Sequence, residues 1–347
     1  MSSDRLKVLT TGLSVIYAPA EDEPLAELVP VPALRAYPTH HPHHLHERLT
    51  SCVRSKSIVF VHGLRGHPVS TWTGTTPDPE AESVRSPSPS GAEAQKRKNK
   101  LFSRSKKPAP ASEVFWPQEF LPSDCPKARI LTWGYDTNIV KNYGPVDQNN
   151  IFAHARNLLA ALERHRRVGQ PVMFVAHSLG GIIVKEVLRR SADSEEASFK
   201  DIVQCTASII FLSTPHRGSA GFAGLADMVR RVAGFALRMD SNDKILTALV
   251  GGSELELGRE SFPKLWRQHE FAVKTFQEAR AMSGVNVGLA NERVVPPESS
   301  SLDDPRENAE SIDANHITMC KFGSRDENGY QQVSGELKKR MNGIVNR

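Results

Sequence analysis

Cysteine is scarce in this chain: 347 residues hold only Cys52, Cys125, Cys205 and Cys320, scattered without a pair at metal-ligand spacing. That excludes a disulfide-stapled scaffold and a zinc module built on paired thiols, and it reads as reduced thiols in a reducing compartment. No apolar run is long enough to span a bilayer. No internal repeat appears, and no Gly-x-x-x-x-Gly-Lys-Ser/Thr loop offers a nucleotide site. A basic fold is missing too. The formal net charge is +5, yet the stretch from Glu80 to Ala111 holds eight Lys or Arg against three Glu and so accounts for all of it. The rest is balanced, and no specific nucleic-acid partner is implied. Apolar residues make up 39%, enough for one large α/β core and slightly low, as disordered insertions would make it.

What is present centres on Val172-Met173-Phe174-Val175-Ala176-His177-Ser178-Leu179-Gly180-Gly181. The apolar, β-branched run reads as a buried parallel strand. A tight turn of small residues follows, and then Ile182, Ile183, Val187 and Leu188 recur as a helical stripe. Strand, sharp turn with a central serine, then helix is the nucleophile elbow of an α/β-hydrolase. The turn lifts the Ser178 hydroxyl clear of the backbone, and the N–H of Leu179 at the helix start faces the oxyanion that acyl transfer generates. Ala176 stands where the commoner pattern has glycine, a change of one methyl group.

The flanking chain is read as a mostly parallel central sheet flanked by helices, one domain over 1–347 with two polar insertions. Leu13–Tyr17 is expected as an amphipathic first strand, preferred over a leader ending at Ala18-Pro19-Ala20. The insertion 19–55 is Pro-rich and then His-rich, and its His40–His46 tract lacks the carboxylate or cysteine framework of a metal site. Ser57–Val61 is a strand, and His62-Gly63-Leu64 after it curls the backbone so that the N–H of Leu64 becomes the second oxyanion donor. The insertion 75–112, with its Ser-Pro steps and Lys96–Lys100 run, cannot pack a core and is expected to be disordered. It is a solvated segment first, with contact to an anionic membrane surface as the other role considered. Phe115–Leu121 is a short aromatic helix, Arg129–Asp136 a strand, Ile151–Arg166 a helix and Ala207–Leu212 a strand. Phe222–Leu237 and Asp243–Leu257 are helical stretches positioned to cover a site. Phe271–Phe276 is a strand, Arg293–Pro296 the last strand, and the final helix runs from Gly329 to Ile344.

Ser178 needs a base, and in this fold the chain order is nucleophile, acid, histidine. His62, His67 and the His40–His46 tract precede the nucleophile, and His177 beside it points away. His216 and His269 precede the late strands, which leaves His316. For the acid, Glu278 at the exit of the Phe271–Phe276 strand comes first. Glu292 is its rival, and Asp303, Asp304 and Asp313 trail behind.

Several runs together resemble a known family: VFVHGLRGHPVSTWTG, RILTWGYDT, FVAHSLGGIIVKEVL, IIFLSTPHRGS, KTFQEA and DANHITMCKF. They are similar to serine esterases related to the serine-active-site-containing protein family, especially its fungal branch, where such a domain often precedes NACHT or NB-ARC and repeat regions. The resemblance covers most of the chain from Leu13, apart from the two insertions. It implies an α/β-hydrolase fold and an esterase or lipase-like triad, supports Ser178 and His316, and favours Glu278.

Two functional classes follow. The first is a serine hydrolase of carboxylic esters, its substrate a small-molecule or lipid ester. Ser178, His316 and Glu278 form its triad, Leu64 and Leu179 its oxyanion hole, and it needs no metal or cofactor. The second is a signalling or protein-interaction module that keeps the fold with little catalysis. The Ser–His pair favours the first. An intracellular, cytoplasmic setting is expected, with mitochondrial or endoplasmic reticulum membrane association as the alternative; protein partners are not legible.

Overall fold

The computed structural model describes residues 8–19, 56–77, 111–135, 151–217, 232, 252–282 and 293–345, with 252–256 and 344–345 in backbone only. The strands among them are β1 (Gly12–Tyr17), β2 (Lys56–Val61), β3 (Thr73–Thr75), β4 (Glu113–Phe115), β5 (Ala128–Gly134), β6 (Val172–His177), β7 (Thr206–Leu212), β8 (Ala272–Glu278) and β9 (Asn308–Ile312). The helices are α1 (Trp116–Glu119), α2 (Leu121–Asp124), α3 (Ile151–His165), α4 (Leu179–Asp193), α5 (Ala197–Gln204), α6 (Gly252–His269), α7 (Pro297–Ser300) and α8 (Asn328–Val345).

Seven strands form one sheet in the order β1-β5-β2-β6-β7-β8-β9, and only β1 runs antiparallel to its neighbour. β2 and β6 are buried at every position because their apolar runs have cover on both faces. Successive residues alternate between those faces. Val59, Phe174 and Phe211 pack with Leu158 of α3 and Ile183 and Val187 of α4. Phe60, Val175 and Ile210 pack on the other side with Trp72, Trp116 and Leu337 of α8. This is a three-layer, doubly wound arrangement.

On the second face, Phe60 meets Trp72 and Trp116 edge-on, with ring centres 5.1 and 5.2 Å apart. Each such pair adds about 1 kcal/mol beyond its burial. Trp116 Nε1–H also donates to the carbonyl of Cys320 at 3.0 Å. The aromatic cluster thereby braces the loop that follows β9.

The topology decides where a site can form. From β2 the chain moves to β5 on one side, then crosses to β6 on the other and continues through β7 and β8. A crevice opens at the carboxyl ends of β2 and β6, the switch point where doubly wound sheets bind their ligands.

Three expectations need correction. Arg293–Pro296 is not a strand: Val294 and Val295 are buried in the core as irregular chain, and the last strand is β9, exposed at four of its five positions. It holds to β8 as an edge, with Lys274 Nζ donating to Asn308 and Glu310 at 2.7 and 2.8 Å. Of the helix expected at Asp243–Leu257, residues 243–251 lie outside the described residues; the described helix, Gly252–His269, does not end at Leu257 but continues through Pro263, a residue that reads as a breaker. Helix α5, with Ile202 and Val203 buried, was not anticipated. Phe115 closes a short antiparallel pair, β3 with β4, before α1 begins at Trp116. Thr76 and Ser112 continue that pairing with two 3.0 Å hydrogen bonds at the neck of the second insertion. Residues 20–55 and 78–110, and Phe222–Leu237 apart from Val232, lie outside the described residues.

Candidate active site

Ser178 follows β6 with φ 52° and ψ −125°, a conformation side chains rarely adopt. Such strain costs on the order of 1–3 kcal/mol and persists only where surroundings impose it. Here the Ser178 N–H is held by the carbonyl of Leu212 at 2.9 Å. The exit of β2 presses against the same turn. A Cβ on Gly63 would sit 2.8 Å from Cβ of Ser178, and one on Gly180 would sit 2.5 Å from the carbonyl oxygen of His62. Glycine at both places lets the two strand exits touch.

His316 lies in the turn after β9, where Asn315 Oδ1 accepts the N–H groups of Ile317 and Thr318 at 3.0 Å. Its Nε2 stands 3.0 Å from Ser178 Oγ. The carbonyl of His316 accepts a 2.8 Å hydrogen bond from Nε2–H of His177. The expectation that His177 points away from the serine is therefore wrong. The positive φ of Ser178 breaks the strand alternation, and both side chains line one cavity. Burial pulls the His177 pKa down to about 3, so the ring is neutral at physiological pH and Nε2 carries its one proton.

Glu278 ends β8 and is 1% exposed. Its Oε1 accepts the N–H of Val295 at 2.6 Å and lies 3.7 Å from Nδ1 of His316. Between them stands Ser213, with Oγ 3.3 Å from Nδ1 and 3.4 Å from Oε1. Glu292 lies outside the described residues. Asp303, Asp304 and Asp313 are each engaged by an arginine, Arg217, Arg306 and Arg280 respectively.

Among the described residues, the N–H groups of Leu64 and Leu179 donate to no protein acceptor. The carbonyl of Gly63 accepts Gly66 N–H at 3.0 Å and lies 2.9 Å from Nδ1 of His62. A trans peptide holds C=O and N–H in opposite directions, so the Leu64 N–H points away from those donors. His62 is drawn down to a pKa of about 4 by burial and is neutral; the nitrogen facing a carbonyl is then its protonated one. Tyr135 stacks on that ring at 4.3 Å and donates its hydroxyl to the His62 carbonyl at 2.7 Å.

Ser178 and His316 open into a cavity of about 190 Å³ that Leu64, Val232 and Ile317 line with apolar atoms and Arg65 and Lys321 with cationic ones. Among the described residues, no group of three or more His, Cys, Asp or Glu could hold a metal ion, and no helix is long and apolar enough to cross a membrane. The His40–His46 tract lies outside them. The sequence reading missed Ser213 and the backbone N–H of Val295. Ser213 had one visible signal, its place directly after the apolar run parallel to the elbow strand.

A parallel sheet with an antiparallel first strand, a strained serine at the switch point and a histidine behind the last strand define an α/β-hydrolase fold. Residues 149–257 match the family described as "Putative serine esterase (DUF676)". Protein SERAC1 of Homo sapiens is 26% identical over 279 residues, which covers 80% of this chain and 38% of that protein. Protein SERAC1 of Mus musculus is 28% identical over 221 residues, 63% of this chain and 32% of that protein. The chain thus spans well under half the length of these relatives. Among solved structures, a thermophilic esterase from Thermogutta terrifontis is 14% identical, with 84% of this chain and 91% of that chain covered at a TM-score of 0.42.

Proposed function

We propose that the chain is a serine hydrolase that cleaves carboxylic esters, of a small-molecule or lipid acyl kind, through an acyl-enzyme. The observation that carries this reading is the 3.0 Å approach of His316 Nε2 to the hydroxyl of the strained Ser178. Ser178 Oγ attacks the ester carbonyl as Nε2 takes its proton. The carbonyl oxygen becomes an oxyanion, which the N–H groups of Leu64 and Leu179 receive. Collapse of the tetrahedral intermediate expels the alcohol, which takes the proton back from Nε2. Water, deprotonated by the same nitrogen, then attacks the acyl-enzyme and releases the acid. Glu278 supplies the negative charge behind Nδ1 that favours the imidazolium. The apolar lining from Leu64, Val232 and Ile317 suits an acyl chain. An interaction module without catalysis has no need for a serine held in a strained turn against an imidazole.

The test is steady-state and rapid-mixing hydrolysis of p-nitrophenyl esters from acetate to octanoate. A burst of nitrophenol equal to the enzyme present is expected, together with a loss of about 10⁴-fold in kcat for both Ser178→Ala and His316→Ala. Folded wild type that hydrolyses none of the series faster than buffer would overturn the reading.

A further inference from the structure

Glu278 is in the wrong place to hold His316 by itself. Its nearer oxygen is 3.7 Å from Nδ1, too far for a hydrogen bond, and that oxygen is already taken by Val295 N–H at 2.6 Å. Among the described residues, its other oxygen is buried with no partner. The group within reach of both is the hydroxyl of Ser213, 3.3 Å from Nδ1 and 3.4 Å from Oε1. A hydroxyl has one proton to give and two lone pairs to offer, so it can accept Nδ1–H and donate to the carboxylate at once.

The backbone commits Ser213 to that position. Its φ is 45°, left-handed for a non-glycine residue, and its N–H is fixed to the carbonyl of Phe276 at 2.8 Å. The residue is fully buried, so no solvent competes for its hydroxyl. Two strand exits side by side, of β7 and β8, thus present a serine and a glutamate in series behind the imidazole.

We propose that Ser213 is a positioning residue that couples His316 to Glu278, so that the chain of donors runs from Ser178 through His316 and Ser213 to the carboxylate. This rests on the serine-hydrolase reading above. When Nε2 takes the proton of Ser178, Nδ1–H stays on the ring. The Ser213 dipole, polarised by Glu278, stabilises the imidazolium and fixes the ring plane. No proton leaves Nδ1, and no bond at Ser213 is made or broken.

The test compares Ser213→Ala and Ser213→Gly with wild type in kcat, KM and the pH profile of kcat/KM on a p-nitrophenyl ester. Both variants remove the hydroxyl, and glycine also accommodates the left-handed backbone. Either should lower kcat by about tenfold or more with KM little changed. The acidic limb of kcat/KM should move to lower pH, because the imidazolium has lost its acceptor. Among the described residues, the other titratable groups facing the ring are Glu278 and His177, with Lys321, Arg65 and Cys320 in the same cavity. All are unaltered in these variants. In a Glu278→Gln background, adding Ser213→Ala should cost little more, as expected for two links of one chain. Wild-type kcat and pH profile in both variants, with only the thermal midpoint changed, would overturn the proposal while leaving the hydrolase reading intact. A full additional loss in the Glu278→Gln background would overturn it as well. Inert wild type would sink both.

Discussion

Lys185 is a buried cation among aromatic rings. It sits in α4, 4% exposed, with Nζ 4.7 Å from the ring centre of Phe262 and 5.7 Å from that of Phe211. Burial pulls its pKa from 10.5 to about 7, against the opposing pull of Glu307. The sign of the consequence is fixed by linkage. Between pH 7 and 10.5 the unfolded chain holds a proton there that the native chain has released, so stability rises with pH. From pH 7 to 8.5 the gain is about 2 kcal/mol, and below pH 7 it is absent. Lys185→Met preserves the packing and removes the titration. Urea unfolding should show the rise in wild type and a flatter profile in the variant; parallel profiles would contradict it. At this scale the strand–turn–helix motif points to Ser178 and chain order to His316, and the structure brings these two side chains to 3.0 Å of each other. The sequence was not legible where a strained φ redirects a neighbour. His177 is expected beside the serine and pointing away from it, whereas both line one cavity. Ser213 depends on two strand exits lying in register, which single-chain periodicity does not carry.

At the scale of elements, the first turn of α4 and the exit of β2 form one unit. A Cβ at Gly180 would collide with the backbone carbonyls of Val61 and His62, neither of which is a flexible side-chain end. Gly180→Ala is therefore expected to cost about 2 kcal/mol or more and to lower the thermal midpoint by several degrees. Differential scanning fluorimetry checks this, and an unchanged midpoint would show that the two elements can part. The buried elements were readable because β2, β6 and β7 are continuous apolar runs. The edge was not. Asn308-Ala309-Glu310-Ser311-Ile312 has little strand character of its own and forms because β8 offers it a parallel ladder. Val294 and Val295 drew the strand assignment instead; they are buried as loop, and the Val295 N–H serves Glu278. Helix α6 was obscured by Gly258 and Pro263, although Phe262, Leu265 and Trp266 bury its face.

Across the whole molecule, two cores on opposite faces of one sheet hold the strand exits in line, and the exits hold the chemistry. Ser178, Ser213 and Glu278 stand at the ends of three adjacent parallel strands, and His316 closes over them from beyond the fourth. The central claim is that this alignment activates Ser178. It is tested most directly by treating the purified protein with a fluorophosphonate probe and mapping the labelled peptide by mass spectrometry. The expected result is one phosphonyl group on Ser178, absent in Ser178→Ala and formed far more slowly in His316→Ala. Folded wild type that takes up no label, or label that maps to a serine other than Ser178, would contradict it.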